Sequence, residues 1–488
     1  MFLNNNFFTV FLARSLTVFL ALISIKLSTH FLSPNQFGQL ALLISIYMFF
    51  GLFLINPVGQ YINLHTQKWW NDRSIFRRLN FYTKYILFTS LMGAVVTIFS
   101  INENYYYQSI FNGLVVFFII LSGTWNSTYV SMLNFLGFTK LSAMWALVTI
   151  TLSIFASVLF FYFHPSSLAW FSGQIVGFVV GSYGAKKTLE SKLPQLKSNK
   201  KAIAINKKSL LNYCLPLGAA TIFMWFQLSG YRFIVNHFWG LSNLGYMAIG
   251  MQVASQSFGF VESISMQYLW PLLLSKTRKS NKFDLRKYFS DYINLLITVY
   301  FIFAGIFIFI SPFLLNFLTS KNYSNALIYV VYGVGIELCR ALANAFSNGA
   351  HITKSTYLLI IPYALGSVVS LVSLFYLGIN HRPISSSCNA IFFGMLVMLL
   401  TMIFLINKKI EIFWNTKLIS VGFFVFAVLV SLLALIPTVH SFSSYFLSLF
   451  PLMLLLTFLL NRSYEFRSLS EFKLPSHKEY SKKKKVSL

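Results

Sequence analysis

A chain of 488 residues that is 57% hydrophobic, 18% aromatic and only 10% charged has too little polar surface to cover a water-soluble globule. Its 38 basic and 11 acidic residues leave a net charge of +27, which in a soluble protein would suggest nucleic acid. Here the basic residues sit in short gaps between long apolar runs and in one tail, so topology and attraction to anionic head groups explain them, and the prediction is an all-α polytopic membrane protein with no nucleic-acid partner.

In chain order, apolar stretches of bilayer-crossing length predict about fourteen transmembrane helices. They cover 8–31, 38–58, 81–101, 109–132, 141–163, 167–185, 210–235, 242–268, 289–314, 325–347, 356–377, 385–406, 418–437 and 443–461. No basic region followed by a short apolar core and a small-residue cleavage site opens the chain, so 8–31 is expected to be a retained span. Reading the gaps as alternately cytoplasmic and external places 32 of the 38 Lys and Arg inside, with only Lys321 and Arg382 outside. Both termini are then cytoplasmic, and the external gaps are too short to hold a domain.

The gap 186–209 divides two groups of six spans that look related. His30-Phe31-Leu32-Ser33-Pro34-Asn35-Gln36-Phe37-Gly38-Gln39-Leu40-Ala41 aligns without gaps on His237-Phe238-Trp239-Gly240-Leu241-Ser242-Asn243-Leu244-Gly245-Tyr246-Met247-Ala248. Asn134 and Thr139-Lys140 fall in the same way on Asn348 and Thr353-Lys354. Six spans return the chain to one side, so such halves are related by an axis along the membrane normal. The predicted organisation is a six-helix bundle over 8–185, a basic linker over 186–209, a second six-helix bundle over 210–406, two added helices over 418–461, and a basic tail over 462–488.

Charges inside spans are costly, about 2.5–3.5 kcal/mol for a central Arg or Lys, and should face a wet interior or a partner. Arg14, Lys26, Arg232 and Arg340 are the basic ones, and Glu262 and Glu337 the acidic ones. For Arg14, Lys26 and Arg232 snorkelling to the interface is the competing explanation. For Arg340 it is an ion pair with Glu337, three residues earlier on the same face. Cations lining a cavity would hold an anion, since guanidinium matches phosphate oxygens as a fork.

Span 8 carries a polar stripe of Gln252, Gln256, Gly259 and Ser263 on one helical face, which Gln227 and Asn126 could join. Interhelical hydrogen bonding and contact with sugar hydroxyls both remain open for it. Trp125, Trp145 and Trp225 lie mid-span, where they pack or stack on sugar rings; Trp69, Trp70, Trp239, Trp270 and Trp414 lie near span ends, as an interfacial belt requires.

Motifs for chemistry are absent: no GxxxxGK[ST], no HExxH, no GxSxG, and eight His without metal spacing. Cys214, Cys339 and Cys388 lie in apolar runs without CxxC spacing, so neither a disulfide nor a metal site is expected. The chain is therefore expected not to be an enzyme and to have no catalytic residues.

The turn Leu32-Ser33-Pro34-Asn35-Gln36-Phe37-Gly38 is similar to the "L-x-P-x-x-F/Y-G" stretch of Wzx-type O-antigen flippases, the polysaccharide-export branch of the MOP superfamily that also holds the MATE transporters. Leu215-Pro216-Leu217, Gly230-Tyr231-Arg232-Phe233-Ile234 and Leu244-Gly245-Tyr246 extend the resemblance, except that Tyr231 stands where the family tends to carry an acid. The resemblance implies two pseudo-symmetric six-helix bundles and a flippase for undecaprenyl-pyrophosphate-linked oligosaccharide, an O-antigen or capsular repeat unit. Transport by alternating access would run between the leaflets of a bacterial inner membrane. It further implies a cationic central cavity, to which Arg14, Lys26, Arg232 and Arg340 with Gln227, Gln252 and Gln256 would contribute. No cofactor is implied; coupling to H+ or Na+ through Glu262 or Glu337 is, and a polysaccharide polymerase and a chain-length regulator are the expected partners. A cation-coupled multidrug antiporter of the same superfamily is the first alternative, disfavoured by the excess of basic over acidic residues in the spans. A membrane O-antigen polymerase or ligase is the second, disfavoured by the lack of a long external loop.

Overall fold

The structure, a computed structural model, describes residues 5–100, 106–193, 207–277, 281–353 and 355–435, and every element among them is helical. The first half holds α1 (Asn5–Phe31), α2 (Pro34–Phe49), a π-helical segment (Phe50–Ile55), α3 (Asn56–Asn71), α4 (Ile75–Ser100), α5 (Tyr106–Phe135), α6 (Thr139–Phe163) and α7 (Ser167–Lys192). The second holds α8 (Lys207–Trp225), a second π segment (Phe226–Gly230), α9 (Tyr231–Thr277), α10 (Lys282–Leu318), α11 (Leu327–Ile352), α12 (Ile360–Ile379), α13 (Ile384–Ile410) and α14 (Thr416–Leu435). Thirteen predicted spans fall on these helices; the fourteenth, 443–461, and the tail 462–488 lie outside the described residues. By length and hydropathy, nine helical runs among the described residues could cross a bilayer, and one of them, 208–263, covers the predicted span 210–235 and most of 242–268. Two shorter apolar stretches, 15–31 and 416–432, add to these.

Several helices outrun their predicted spans, among them α3 and α7. Span 2 ends at 58, yet α3 continues to Asn71 and folds its end into the protein: Trp69 is buried with Ile75, Leu79, Tyr82, Met132 and Leu133, and the Arg78 guanidinium lies 5.4 Å from its ring. Trp69 is thus a core residue and not part of an interfacial belt. Helix α7 likewise runs past 185 to Lys192, its exposed end carrying Lys186 and Lys187 beside Glu190.

Small residues let α6 and α7 approach closely, the usual route to helix association where water provides no driving force. Gly173, Gly177 and Gly181 repeat every fourth residue on α7, and a Cβ on any of them would overlap Ser157, Ser153 or Thr149 of α6. Ser157 Oγ donates to the Trp170 carbonyl at 2.7 Å, and Trp145 Nε1 donates to Thr188 Oγ1 at 2.9 Å. Gly177→Val is expected to lower the melting temperature of the detergent-solubilised protein sharply, because the added methyls meet the Thr149 backbone carbonyl. An unchanged melting temperature would show that the two helices can separate freely.

The motif after α1 is a helix start followed by a close crossing. Ser33 is the N-cap of α2 and forms a capping box with Gln36, Pro34 occupies the first turn where no N–H is needed, and Phe37 is buried with its ring centroid 6.1 Å from that of Tyr323. In the second copy Gly240, aligned with Ser33, breaks the long α9 run with φ 82° and ψ 168°, a conformation that favours glycine. The two aligned glycines then meet each other's helix: a Cβ on Gly38 would overlap the Leu241 carbonyl, and one on Gly245 would overlap the Pro34 carbonyl. Since Leu241 and Pro34 are themselves aligned, the contact is reciprocal, as at a two-fold axis.

By compactness the chain divides differently from its sequence halves. One unit comprises 1–256, 315–332 and 363–395, and the other 257–314, 333–362 and 396–488. Within the first unit the gaps predicted to lie outside gather at one end: Gln36 bonds the Pro165 carbonyl, Tyr323 the Leu32 carbonyl, Ser320 the Thr29 carbonyl and Trp239 the Arg382 carbonyl. Within the second unit α10 and α14 cross tightly at Gly422 and Thr298, and Asn294 bonds the Phe413 carbonyl at 2.8 Å.

Candidate functional site: charged and amide side chains within the spans

In the first unit two basic residues within the spans, Lys26 and Arg232, carry charge that no carboxylate offsets among the described residues. Lys26, near the end of α1, donates from Nζ to the Thr319 carbonyl at 2.9 Å and is otherwise exposed. An ammonium has three donors, so two remain. Arg232 opens α9 directly after the second π segment, which turns its guanidinium toward α2. Its Nη1 donates to the Ala41 carbonyl at 3.2 Å and lies 3.3 Å from Ser45 Oγ, while Nε is buried without a partner. Guanidinium offers five donors, and among the described residues Nη1 alone makes a hydrogen bond. Trp225 braces this corner, with Nε1 donating to the Ser45 carbonyl at 2.9 Å and its ring 4.9 Å from Phe49. Arg14 lies on α1, and its side chain falls outside the described residues.

The amides divide. Gln227 is 2% exposed and donates to the Gly394 carbonyl at 3.5 Å, and Asn126 donates to Thr149 Oγ1 at 2.9 Å, so both tie helices together. Gln252 and Gln256 are half-buried on one face of α9 and make no side-chain hydrogen bond to a described residue. Trp125 stacks on Tyr129 at 5.0 Å, which together with the hydrogen bonds of Trp145 and Trp225 accounts for the mid-span indoles as packing.

In the second unit Arg340 is the centre of a network. Its Nε lies 2.6 Å from Glu337 Oε2 and its Nη2 2.9 Å from Glu262 Oε2, with 16% of the Arg340 side chain exposed against 10% of Glu337 and 18% of Glu262. Asn344 Nδ2 donates to the other Glu262 oxygen at 2.7 Å. One guanidinium shared by two carboxylates has a net charge of −1 when all three are ionised. The Glu337–Arg340 pair follows from i,i+3 spacing. Glu262 and Asn344 as its third and fourth members do not, because α9 and α11 are brought together only by folding. The arrangement can hold a proton or a small cation, since adding one positive charge makes it neutral.

Charged and amide side chains on a set of bilayer-length helices, with a reciprocal helix crossing inside the first unit, define a multi-pass membrane protein. Its solved relatives agree. The lipid II flippase MurJ in an inward closed conformation is 13% identical, with a TM-score of 0.64 over 95% of this chain and 97% of that one. An inward-facing multidrug resistance MATE family transporter of the MOP superfamily is 10% identical, with a TM-score of 0.53 over 86% and 95%. At these identities the likeness shows a shared fold alone. The family model described as "Polysaccharide biosynthesis protein" matches residues 29–328, and the chain belongs to that family. No curated protein matches the sequence.

Proposed function

We propose that the protein is a flippase that carries an undecaprenyl-pyrophosphate-linked oligosaccharide from the cytoplasmic to the external leaflet of a bacterial inner membrane, with both termini cytoplasmic. The observation that carries the reading is Arg232: a half-buried guanidinium in a membrane helix, with a buried Nε lacking a partner and no carboxylate beside it among the described residues. Such a group is expensive in lipid unless an anion passes it. Membership of a polysaccharide-biosynthesis family supplies the saccharide, and the likeness to a lipid II flippase supports a polyprenyl-linked one. In this reading Lys26 and Arg232 attract the pyrophosphate, Gln252 and Gln256 offer amides to the cargo, and the polyprenyl tail stays in lipid.

Arg340 is held by two carboxylates, so its role differs from that of Arg232. Protonation of Glu262 or Glu337 would loosen that hold, which makes the network the candidate for coupling transport to H+ or Na+. No step requires covalent chemistry or a cofactor. A polysaccharide polymerase and a chain-length regulator would act on the delivered unit.

The test uses a strain lacking its own flippase, scored for surface polysaccharide, with the purified protein in liposomes holding a fluorescent lipid-linked oligosaccharide. Arg232→Ala is expected to cut transport by about tenfold or more at normal protein level, with partial recovery in Arg232→Lys, which keeps the charge and loses the fork. Wild-type rates in both Arg232→Ala and Lys26→Ala would overturn the anionic-cargo reading.

A further inference from the structure

A different part of the first unit holds a cavity that contains no charge at all. It lies where α2 gives way to the π segment and α3, against α4 and α5, and has a volume of about 300 Å³. The π turn widens the helix just before Asn56-Pro57, and Tyr85 Oη donates to the Leu54 carbonyl at 2.8 Å. Tyr47, Asn56, Asn63, Tyr82, Thr128 and Ser131 are among its lining residues, and every polar group in the lining is a hydroxyl or a carboxamide.

Polar groups inside a bilayer are normally bound to one another, because an unmatched one costs kilocalories. Here several are not. Tyr82 Oη is fully buried beside the Thr128 hydroxyl, which itself donates to the Thr124 carbonyl at 2.7 Å. Tyr47, Asn63 and Ser131 make no side-chain hydrogen bond to a described residue. Gly51 and Gly59 face the same space: a Cβ built on either meets nothing within 4 Å.

We infer that this cavity binds the uncharged sugar portion of the cargo, a site separate from the cations that attract its phosphates; the inference rests on the saccharide-transport reading above. An anion finds no cation in the lining. A polyprenyl chain would leave the hydroxyls and amides unmatched. A pyranose ring matches both features of the wall, its hydroxyls meeting Asn63, Ser131 and the Tyr47 hydroxyl, and its C–H face meeting the Tyr47 ring. The volume is at the small end of ligand pockets, roughly 300–1,000 Å³, which suits a saccharide fragment and not a whole repeat unit.

A Cβ on Gly59 or on Gly51 meets nothing within 4 Å, so Gly59→Leu and Gly51→Leu are expected to reduce the cavity volume. Both raise helix propensity, and folding is checked by melting temperature. Saturation-transfer NMR on the full chain in lipid nanodiscs would probe lactose, maltose and diacetylchitobiose, with glucuronic acid as the anionic control. At least one neutral disaccharide should receive saturation from the wild-type protein, glucuronic acid should not, and the signal should fall about tenfold in both glycine variants and in Asn63→Ala. No transfer to any of the three neutral sugars, or equal transfer in folded Gly59→Leu and Gly51→Leu, overturns the assignment and identifies the cavity as holding water only. The transport assay separates this from the broader reading. Wild-type protein that moves no lipid-linked oligosaccharide refutes the flippase, whereas wild-type transport with undiminished transport in both glycine variants refutes the sugar site alone.

Discussion

Arg340→Ala is expected to destabilise the protein by about 3–5 kcal/mol, the cost of leaving a buried ion pair without one partner. Glu262 and Glu337 face the same guanidinium and are only 18% and 10% exposed, so its removal leaves two close carboxylates repelling each other with Asn344 as the remaining donor. One of them must then take up a proton or the helices α9 and α11 must part. The triple variant Arg340→Met, Glu262→Gln, Glu337→Gln removes charge from all three positions at similar volume and should recover most of the lost stability. Melting temperatures of the single, double and triple variants in detergent test this as a cycle. An Arg340→Ala protein as stable as wild type would mean that the three charges are already well hydrated. The triple variant also isolates function: folded, it should transport without response to an imposed cation gradient, and a retained response would place the coupling elsewhere.

Enlarging either glycine of the reciprocal crossing should be as damaging as removing a large core side chain. In Gly245→Leu the new side chain is forced into the Pro34 backbone carbonyl, and in Gly38→Leu into that of Leu241, neither of which can swing aside as a flexible side chain would. Overpacking costs about 1–3 kcal/mol where neighbours can adjust, and a helix backbone adjusts least. Because the contact is symmetric, the two variants should lose similar amounts, measurable as matching falls in melting temperature and membrane level. Gly59→Leu provides the stability control, since its Cβ position is open. A large loss at one glycine and none at the other would show that the sequence repeat is not matched by an equivalent geometry.

Much of the architecture was legible because a bilayer simplifies the code. Every span must be long and apolar, so span positions follow from hydropathy, and the helices found between 5 and 435 correspond to the runs expected there. The duplicated motif was legible as an alignment of His30–Ala41 on His237–Ala248, but its meaning was not. That Gly38 and Gly245 press on each other's helix partners depends on three-dimensional proximity across more than 200 residues. Trp69 was misplaced for a related reason: a tryptophan near a span end satisfies an interface or a core equally well, and only the continuation of α3 decided between them.

At the candidate site the charged residues announced themselves, since nothing else in an apolar run explains them. Their partners did not. Arg340 and Glu337 lie one helical turn apart, so their pairing was visible; Glu262 is 78 positions from Arg340 and joins it through folding alone. The neutral cavity leaves only a weak signal in the sequence. Asn56, Gln60 and Asn63, and Thr124, Ser127, Thr128 and Ser131, recur at helical spacing on two different helices and line the same space. A polar stripe without charge resembles ordinary interhelical bonding, as Asn126 and Gln227 indeed provide. Composition and periodicity alone thus determine that this chain crosses a membrane many times, where its helices run and which of its charges need explaining, because those are properties of single segments against lipid. Whether a polar group meets a partner or an open cavity is a property of several helices at once, and the tertiary structure alone decides it.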